Sequence, residues 1–103
     1  MLFVCSRNRW RSLTAETIFK DIEGHSVKSA GTANDARVRI TERLILWADL
    51  IFVMGKKHKR ILEDRFEQSV HNRKVIVLNI KDNYQCMDNE LVEMLKAEVE
   101  LYL

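Results

Sequence analysis

The 103-residue sequence contains no proline, three glycines and two cysteines. Few residues are therefore available to break regular structure, and long irregular loops have little to be built from. Two cysteines cannot make a disulfide framework, which excludes the small stapled scaffolds of secreted proteins. An excess of one charge is missing as well: 17 basic and 15 acidic residues leave a formal net charge of +2. With 47% hydrophobic residues, that balance excludes a disordered chain or a protein that coats nucleic acid, so any basic patch must be local. No apolar run approaches the length that crosses a membrane. Met1 leads straight into LFVC, which is too short for the apolar core of a signal peptide and has no basic start before it; a cytoplasmic location is expected. The length suits one domain over residues 1–103.

What is present is an alternation of two periods. Four runs have strand length: LFVC (2–5), SVKSA (26–30), LIFVM (50–54) and VIVLNI (75–80). The first, third and fourth are almost continuously apolar, as strands covered on both faces of a parallel sheet must be. The second is weaker and is expected at an edge. Between them the apolar residues fall at helical spacing. Ala15, Ile18, Phe19 and Ile22 form one stripe, with Gly24 placed to end it. Ile40, Leu44, Trp47 and Ala48 form another behind Thr41 as cap. Residues 56–66 carry Ile61, Leu62 and Phe66 on a basic helix. Asp88 can cap a last helix lined by Leu91, Leu95, Val99 and Tyr102. Trp47 and Phe52 are expected in the core. Alternating strands and helices predict an α/β fold of the flavodoxin-like three-layer kind, a four-stranded parallel sheet of order 2-1-3-4 with helices on both faces. A ligand site in such a sheet lies beyond the carboxyl ends of the strands, where the order reverses, and Cys5 ends the first strand.

The segment FVCSRNRWRSL (3–13) leaves that strand and enters a helix. Its backbone N–H groups, from Ser6 through Arg7, Asn8, Arg9 and Trp10 to Arg11, can curl around an anion at the positive helix end. The same field and Arg11 would hold Cys5 as a thiolate. Arg11 can close the cradle, because its planar fork grips two oxygens of a phosphoryl group. Asn8 is the loop residue that best tolerates positive φ, and Ser12 can cap the helix or donate to the sulfur.

These residues resemble the low-molecular-weight protein tyrosine phosphatases, whose loop reads cysteine, two residues, asparagine, two residues, arginine and serine, as do Cys5, Asn8, Arg11 and Ser12. Ala15, Glu16 and Phe19 match the helix that follows, Ser29-Ala30-Gly31-Thr32 the end of the second strand, and Ala48-Asp49-Leu50-Ile51 the start of the third. The likeness covers essentially the whole chain. It implies a phosphomonoester hydrolase in which Cys5 attacks phosphorus, a phosphocysteine forms, and an aspartate serves as acid and then as base. Asp82, in Asp82-Asn83-Tyr84, stands where the family has its Asp-Pro-Tyr-like motif. No cofactor or metal is implied. Ser29 and Thr32 either support the loop or merely end the strand, and Tyr84 is a candidate wall of the site.

Departures from the pattern bear on the substrate. Arg7 replaces a glycine, Arg9 an aliphatic residue, Trp10 a frequent second cysteine and Asn83 a proline, and the chain reads as a trimmed member. Extra cations at the mouth favour a phosphorylated protein or small phosphomonoester that is itself acidic, with phosphate or sulfate as simple occupants of the loop. Cys86 is the one cysteine that could pair with Cys5. His25, His58 and His71 lack metal-site spacing and are read as surface residues, and KKHKR (56–60) as a solvated helix face rather than a nucleic-acid patch. Three other readings share the loop: a non-catalytic phosphate or phosphopeptide binder, an arsenate reductase, which would need more thiols, and a phosphocysteine carrier, which would have little use for Asp82.

Overall fold

Side chains alternate across a strand, so a four-residue apolar strand supplies two residues to each face of its sheet. The computed structural model, which describes residues 1–22 and 24–103, has this arrangement. Its elements run β1 (Leu2–Cys5), α1 (Arg11–Phe19), β2 (Lys28–Gly31), α2 (Glu42–Trp47), β3 (Leu50–Val53), α3 (Lys56–Arg65), α4 (Glu67–His71), β4 (Lys74–Val77) and α5 (Asn89–Val99), closing with a 3₁₀ turn at Glu100–Tyr102. The strands form one sheet of order β2-β1-β3-β4. All three pairings are parallel, with Phe3 opposite Ser29 and Phe52, and Phe52 opposite Ile76. The expected flavodoxin-like order is borne out, and β2 lies at an edge.

Phe3, Cys5, Phe52 and Met54 turn to one side of the sheet, where Ala15 and Phe19 of α1 and Leu91, Leu95 and Val99 of α5 cover them. Leu2, Val4, Ile51 and Val53 turn to the other, against Ile45 of α2, Leu62 of α3 and Val70 of α4. Burial of both faces explains why β1 and β3 read as unbroken apolar runs. On the first side the rings form a line. Phe19 stacks on Phe3 at 5.7 Å, Phe3 on Phe52 at 5.1 Å, and Tyr102 meets Phe52 edge-on at 5.6 Å.

Several boundaries differ from the expectation. β2 starts at Lys28 rather than residue 26, and β4 is Lys74–Val77 rather than 75–80. Beyond Val77 the chain still donates from Leu78 and Ile80 to Val53 and Met54, but Asn79, at φ 56°, turns it out of strand geometry. α1 ends at Phe19, well before Gly24, whose φ of 86° belongs to the connection into β2. The basic helix breaks at Phe66 (φ −130°, ψ 39°), and the separate α4 was not anticipated. Trp47 is not core. It ends a six-residue helix that packs through Ile45, and its ring, 37% exposed, lies under the Lys28 ammonium at 4.5 Å.

Phe52 is fully buried between two ring partners. Phe52→Ala is therefore expected to cost about 3–5 kcal/mol of stability in urea unfolding. A loss under about 1 kcal/mol would show that the ring line does not carry this side of the core.

Candidate active site

The loop from Cys5 to Arg11 is shaped from outside. Four of its successive carbonyls accept hydrogen bonds from the segment after β2: Cys5 from Thr32 N–H (2.9 Å), Ser6 from Ala33 N–H (2.8 Å), Arg7 from Arg37 N–H (2.9 Å) and Asn8 from Arg37 Nε (3.2 Å). In a trans peptide the N–H points opposite to the C=O, so carbonyls pulled outward leave the amides of residues 6–9 facing inward. One of them, the Asn8 N–H, reaches Cys5 Sγ at 3.2 Å. Asn8 takes φ 58°, as expected of the one residue here suited to the left-handed region. Gly31 permits the approach of the two segments. A Cβ on it would stand 2.4 Å from the Ser6 carbonyl oxygen and 3.0 Å from the Arg7 carbonyl carbon.

Below the bowl a buried polar chain runs to the sulfur, and its direction can be deduced. Glu16 Oε1, a carboxylate oxygen, accepts from Ser29 Oγ at 2.6 Å. Ser29 Oγ, its proton spent, accepts from Asn8 Nδ2 at 2.8 Å. The second Nδ2 proton goes to Ser12 Oγ at 2.7 Å. The Ser12 proton is then left for Cys5 Sγ, 2.8 Å away. Cys5, Asn8, Ser12 and Ser29 are each 3% exposed or less. Two donors thus aim at a sulfur on the floor of the bowl. Asn8 Oδ1 is the one buried side-chain oxygen or nitrogen among the described residues with no partner.

Arg11 opens α1 and is 4% exposed. Its guanidinium donates to the Ile80 carbonyl at 2.9 Å and lies 3.5 Å from Asp82 Oδ1. The chain beyond β4 therefore supplies both the tether of the cation and the carboxylate beside it. On another flank, Ser6 Oγ lies 2.9 Å from Nε2 of His58, whose Nδ1 accepts the Gly55 N–H at 3.0 Å. His58 is fully buried, which corrects its reading as a surface residue. It occupies the third position of α3, where a side-chain acceptor can cap the free N–H of the preceding residue, and this position was the signal in the sequence. Burial, then the Arg11 and Lys57 cations, lower its pKa to about 4 against the opposing pull of Asp82.

The remaining expected residues divide. Arg7, Arg9 and Trp10 contribute backbone to the loop while their side chains are exposed, and Arg7 lies 3.8 Å from Asp35. Ser12 is not the helix cap, since Trp10 holds that place; its hydroxyl faces the sulfur instead. Ser29 supports the loop, as does Thr32 through its backbone. Tyr84 is turned toward α5, its hydroxyl 3.6 Å from Met94 Sδ and its ring packed on the core. Cys86 is free and exposed and meets Thr14 at 3.6 Å. Arg37, Glu16 and His58 are the supporting residues that the sequence reading did not assign to the site. Among the described residues no cluster of three or more His, Cys, Asp or Glu could hold a metal ion. A groove of about 690 Å³ beside α3 and α4, lined by Lys59, Glu63, Asp64 and Glu67 among others, shares no residue with the bowl.

The first strand of the parallel sheet thus delivers a cysteine into a loop whose last residue is an arginine. The comparisons bear out the resemblance read in the sequence. Residues 1–47, which include Cys5 to Ser12 and Ser29, match the family model "Low molecular weight phosphotyrosine protein phosphatase". No curated protein matches in sequence. Among solved structures the chain is similar to a YwlE mutant from Bacillus subtilis at 26% identity, covering 97% of this chain and 95% of that one with a TM-score of 0.70. It is similar to a YwlE arginine phosphatase variant carrying a phosphorylated active-site serine at 25% identity, covering 97% and 93%, TM-score 0.72. It shares its fold with the tyrosine phosphatase Wzb from Escherichia coli K30, crystallised with phosphate, at 18% identity, covering 98% and 93%, TM-score 0.79.

Two outcomes follow from the geometry. Gly31→Ala is expected to displace the bowl, so that saturating phosphate no longer raises the melting temperature of whatever folded protein remains; undiminished protection would show that the contact at Gly31 is dispensable. His58 has a folded pKa below its ordinary 6.5, so the unfolded chain takes up the proton first as pH falls. Its contribution is complete above about pH 6.5 and is lost as pH drops toward 4. The urea midpoint should fall over that range in the wild type and fall less in His58→Gln.

Proposed function

We propose that this chain is a cysteine-dependent phosphomonoester phosphatase acting through a phosphocysteine, with the catalytic machinery contained in one domain. The observation that carries the reading is the outward anchoring of four loop carbonyls, which leaves inward amides around a buried sulfur that two donors address. The family match and the phosphatases that share the fold support it. A neighbour solved with phosphate and one with a phosphorylated active-site serine support phosphoryl binding on this fold.

In the first step the Cys5 thiolate attacks phosphorus in line with the leaving oxygen. The amides of residues 6–11 and the Arg11 guanidinium hold the three equatorial oxygens as charge spreads over them. The P–O bond breaks as Asp82, protonated, gives its proton to the departing oxygen. In the second step the Asp82 carboxylate takes a proton from water, the water oxygen attacks phosphorus, and the S–P bond breaks to release phosphate and thiolate. Ser12 donates to the sulfur whenever it carries negative charge, which eases its departure. Asp82 is 62% exposed and beside Arg11, so it stands where a leaving group can reach it from solvent. Two free cysteines suit a reducing compartment such as the cytoplasm, and no helix among the described residues is long and apolar enough to cross a membrane.

Substrates with negative charge around the phosphoryl group fit the mouth, where Arg7 and Arg9 are exposed. Asp35 partly neutralises Arg7. Arg9→Ala is thus expected to lower kcat/KM for an acidic phosphopeptide more than Arg7→Ala does, with p-nitrophenyl phosphate little affected by either; equal losses on both substrates would remove this preference.

The reaction itself is tested with p-nitrophenyl phosphate between pH 5 and 7. Cys5→Ser should abolish turnover by about four orders of magnitude or more while phosphate still binds, and Asp82→Asn should lower kcat by about 100-fold or more. Phosphate binding with no turnover in the wild type would instead identify a non-catalytic phosphate binder.

A further inference from the structure

Ser6 is the first residue after the nucleophile, and its side chain has a fixed partner. The ring nitrogens of His58 can be assigned from their neighbours. Gly55 N–H can only donate, so Nδ1, 3.0 Å away, is unprotonated. A neutral imidazole then carries its proton on Nε2 and donates it to Ser6 Oγ at 2.9 Å. The folded pKa of about 4 keeps the ring in that form at neutral pH. Ser6 Oγ, having accepted from the ring, keeps one proton, and no acceptor among the described residues takes it. The Ser6 carbonyl is already drawn outward by Ala33 N–H, so the loop cannot rotate to bury that hydroxyl elsewhere without losing the anchor. Ser6 adjoins Cys5 in the loop that ends at Arg11, so the pair meets the loop from the α3 side.

We propose that His58 and Ser6 form a donor pair of the phosphoryl site, in which His58 is a positioning residue and the Ser6 hydroxyl gives its proton to a non-bridging oxygen of the bound phosphoryl group. The proposal rests on the phosphatase reading above for its kinetic consequence, and on phosphoryl binding alone for its thermodynamic one. It adds a side-chain donor to the backbone cradle. It also gives the buried histidine at the start of α3 a function: through it the β3–α3 junction, with Lys56 and Lys57, is locked to the phosphoryl site.

The test measures inorganic phosphate affinity by calorimetry and kcat and KM for p-nitrophenyl phosphate in wild type, Ser6→Ala, His58→Ala, His58→Gln and the double alanine variant. A hydrogen bond to a charged oxygen predicts that Ser6→Ala weakens phosphate binding by about tenfold. His58→Ala should weaken it by a similar factor, and the double variant no further, because the two residues act as one. Glutamine can accept from Gly55 with its oxygen and donate to Ser6 with its nitrogen, so His58→Gln should recover most of the affinity. Unchanged phosphate affinity in Ser6→Ala, or losses that multiply in the double variant, would overturn the pair. If His58→Ala does not fold, Ser6→Ala and His58→Gln decide alone. A histidine serving only structure would lower the melting temperature and leave the affinity of the folded protein intact, which also counts against the proposal. Absence of turnover in the wild type would remove the phosphatase reading, while the phosphate titrations would still judge the pair.

Discussion

The outward pull on the carbonyls of Cys5, Ser6, Arg7 and Asn8 is the constraint from which the site follows. A loop containing no glycine has no intrinsic reason to turn its amides to a common centre. Here the reason is supplied by a second segment, residues 32–37, whose donors occupy the opposite side of each peptide plane. That segment can approach because Gly31 has no side chain. The glycine that matters most to the bowl thus lies in the neighbouring strand, where close approach rather than positive φ demands it.

Four elements converge on the bowl. β1 delivers the sulfur, α1 carries Arg11, Ser12 and Glu16, β2 contributes Ser29 and its following segment, and α3 presents His58. The chain after β4 adds the Ile80 carbonyl and Asp82. Because these come from strands on both sides of β1, the reversal of strand order at β1 is what permits a single loop to be gripped from several directions. The polar chain from Glu16 to Cys5 adds a sense of direction. A carboxylate that can only accept, at one end, orients each hydroxyl proton along the way toward the sulfur at the other. The unpartnered Asn8 Oδ1 is the local cost, since both amide protons are used in setting that direction.

Much of this was legible in the sequence. The parallel sheet followed from four short apolar runs separated by helical stripes, because periodicity is a local property written in neighbouring residues, whereas the strand order came with the expected flavodoxin-like fold. Cys5, Asn8, Arg11 and Ser12 were legible as a loop from their spacing and from likeness to a known one, and the fold brings Ser29 to Asn8 and Asp82 to Arg11. Residues whose contribution passes through space were harder to see. Trp47 has a core residue's chemistry and a helical stripe's spacing, yet its short helix spends its buried face on Ile45. His58 sits within a run of cations and looked solvated, while the fold buries it against Ser6, separated by 52 positions in the chain. Tyr84 follows the expected acid closely but spends its ring on the core.

By itself the sequence determined which strands are covered on both faces, where a thiol meets a helix start, and which loop residue could adopt the left-handed conformation, because these depend on side-chain period and backbone sterics over a few positions. Only the tertiary structure decided which way the loop carbonyls point, which proton reaches the sulfur and which histidine is buried beside Ser6. Those outcomes are hydrogen bonds between segments distant in the chain, and a hydrogen bond's direction exists only once both partners are in place.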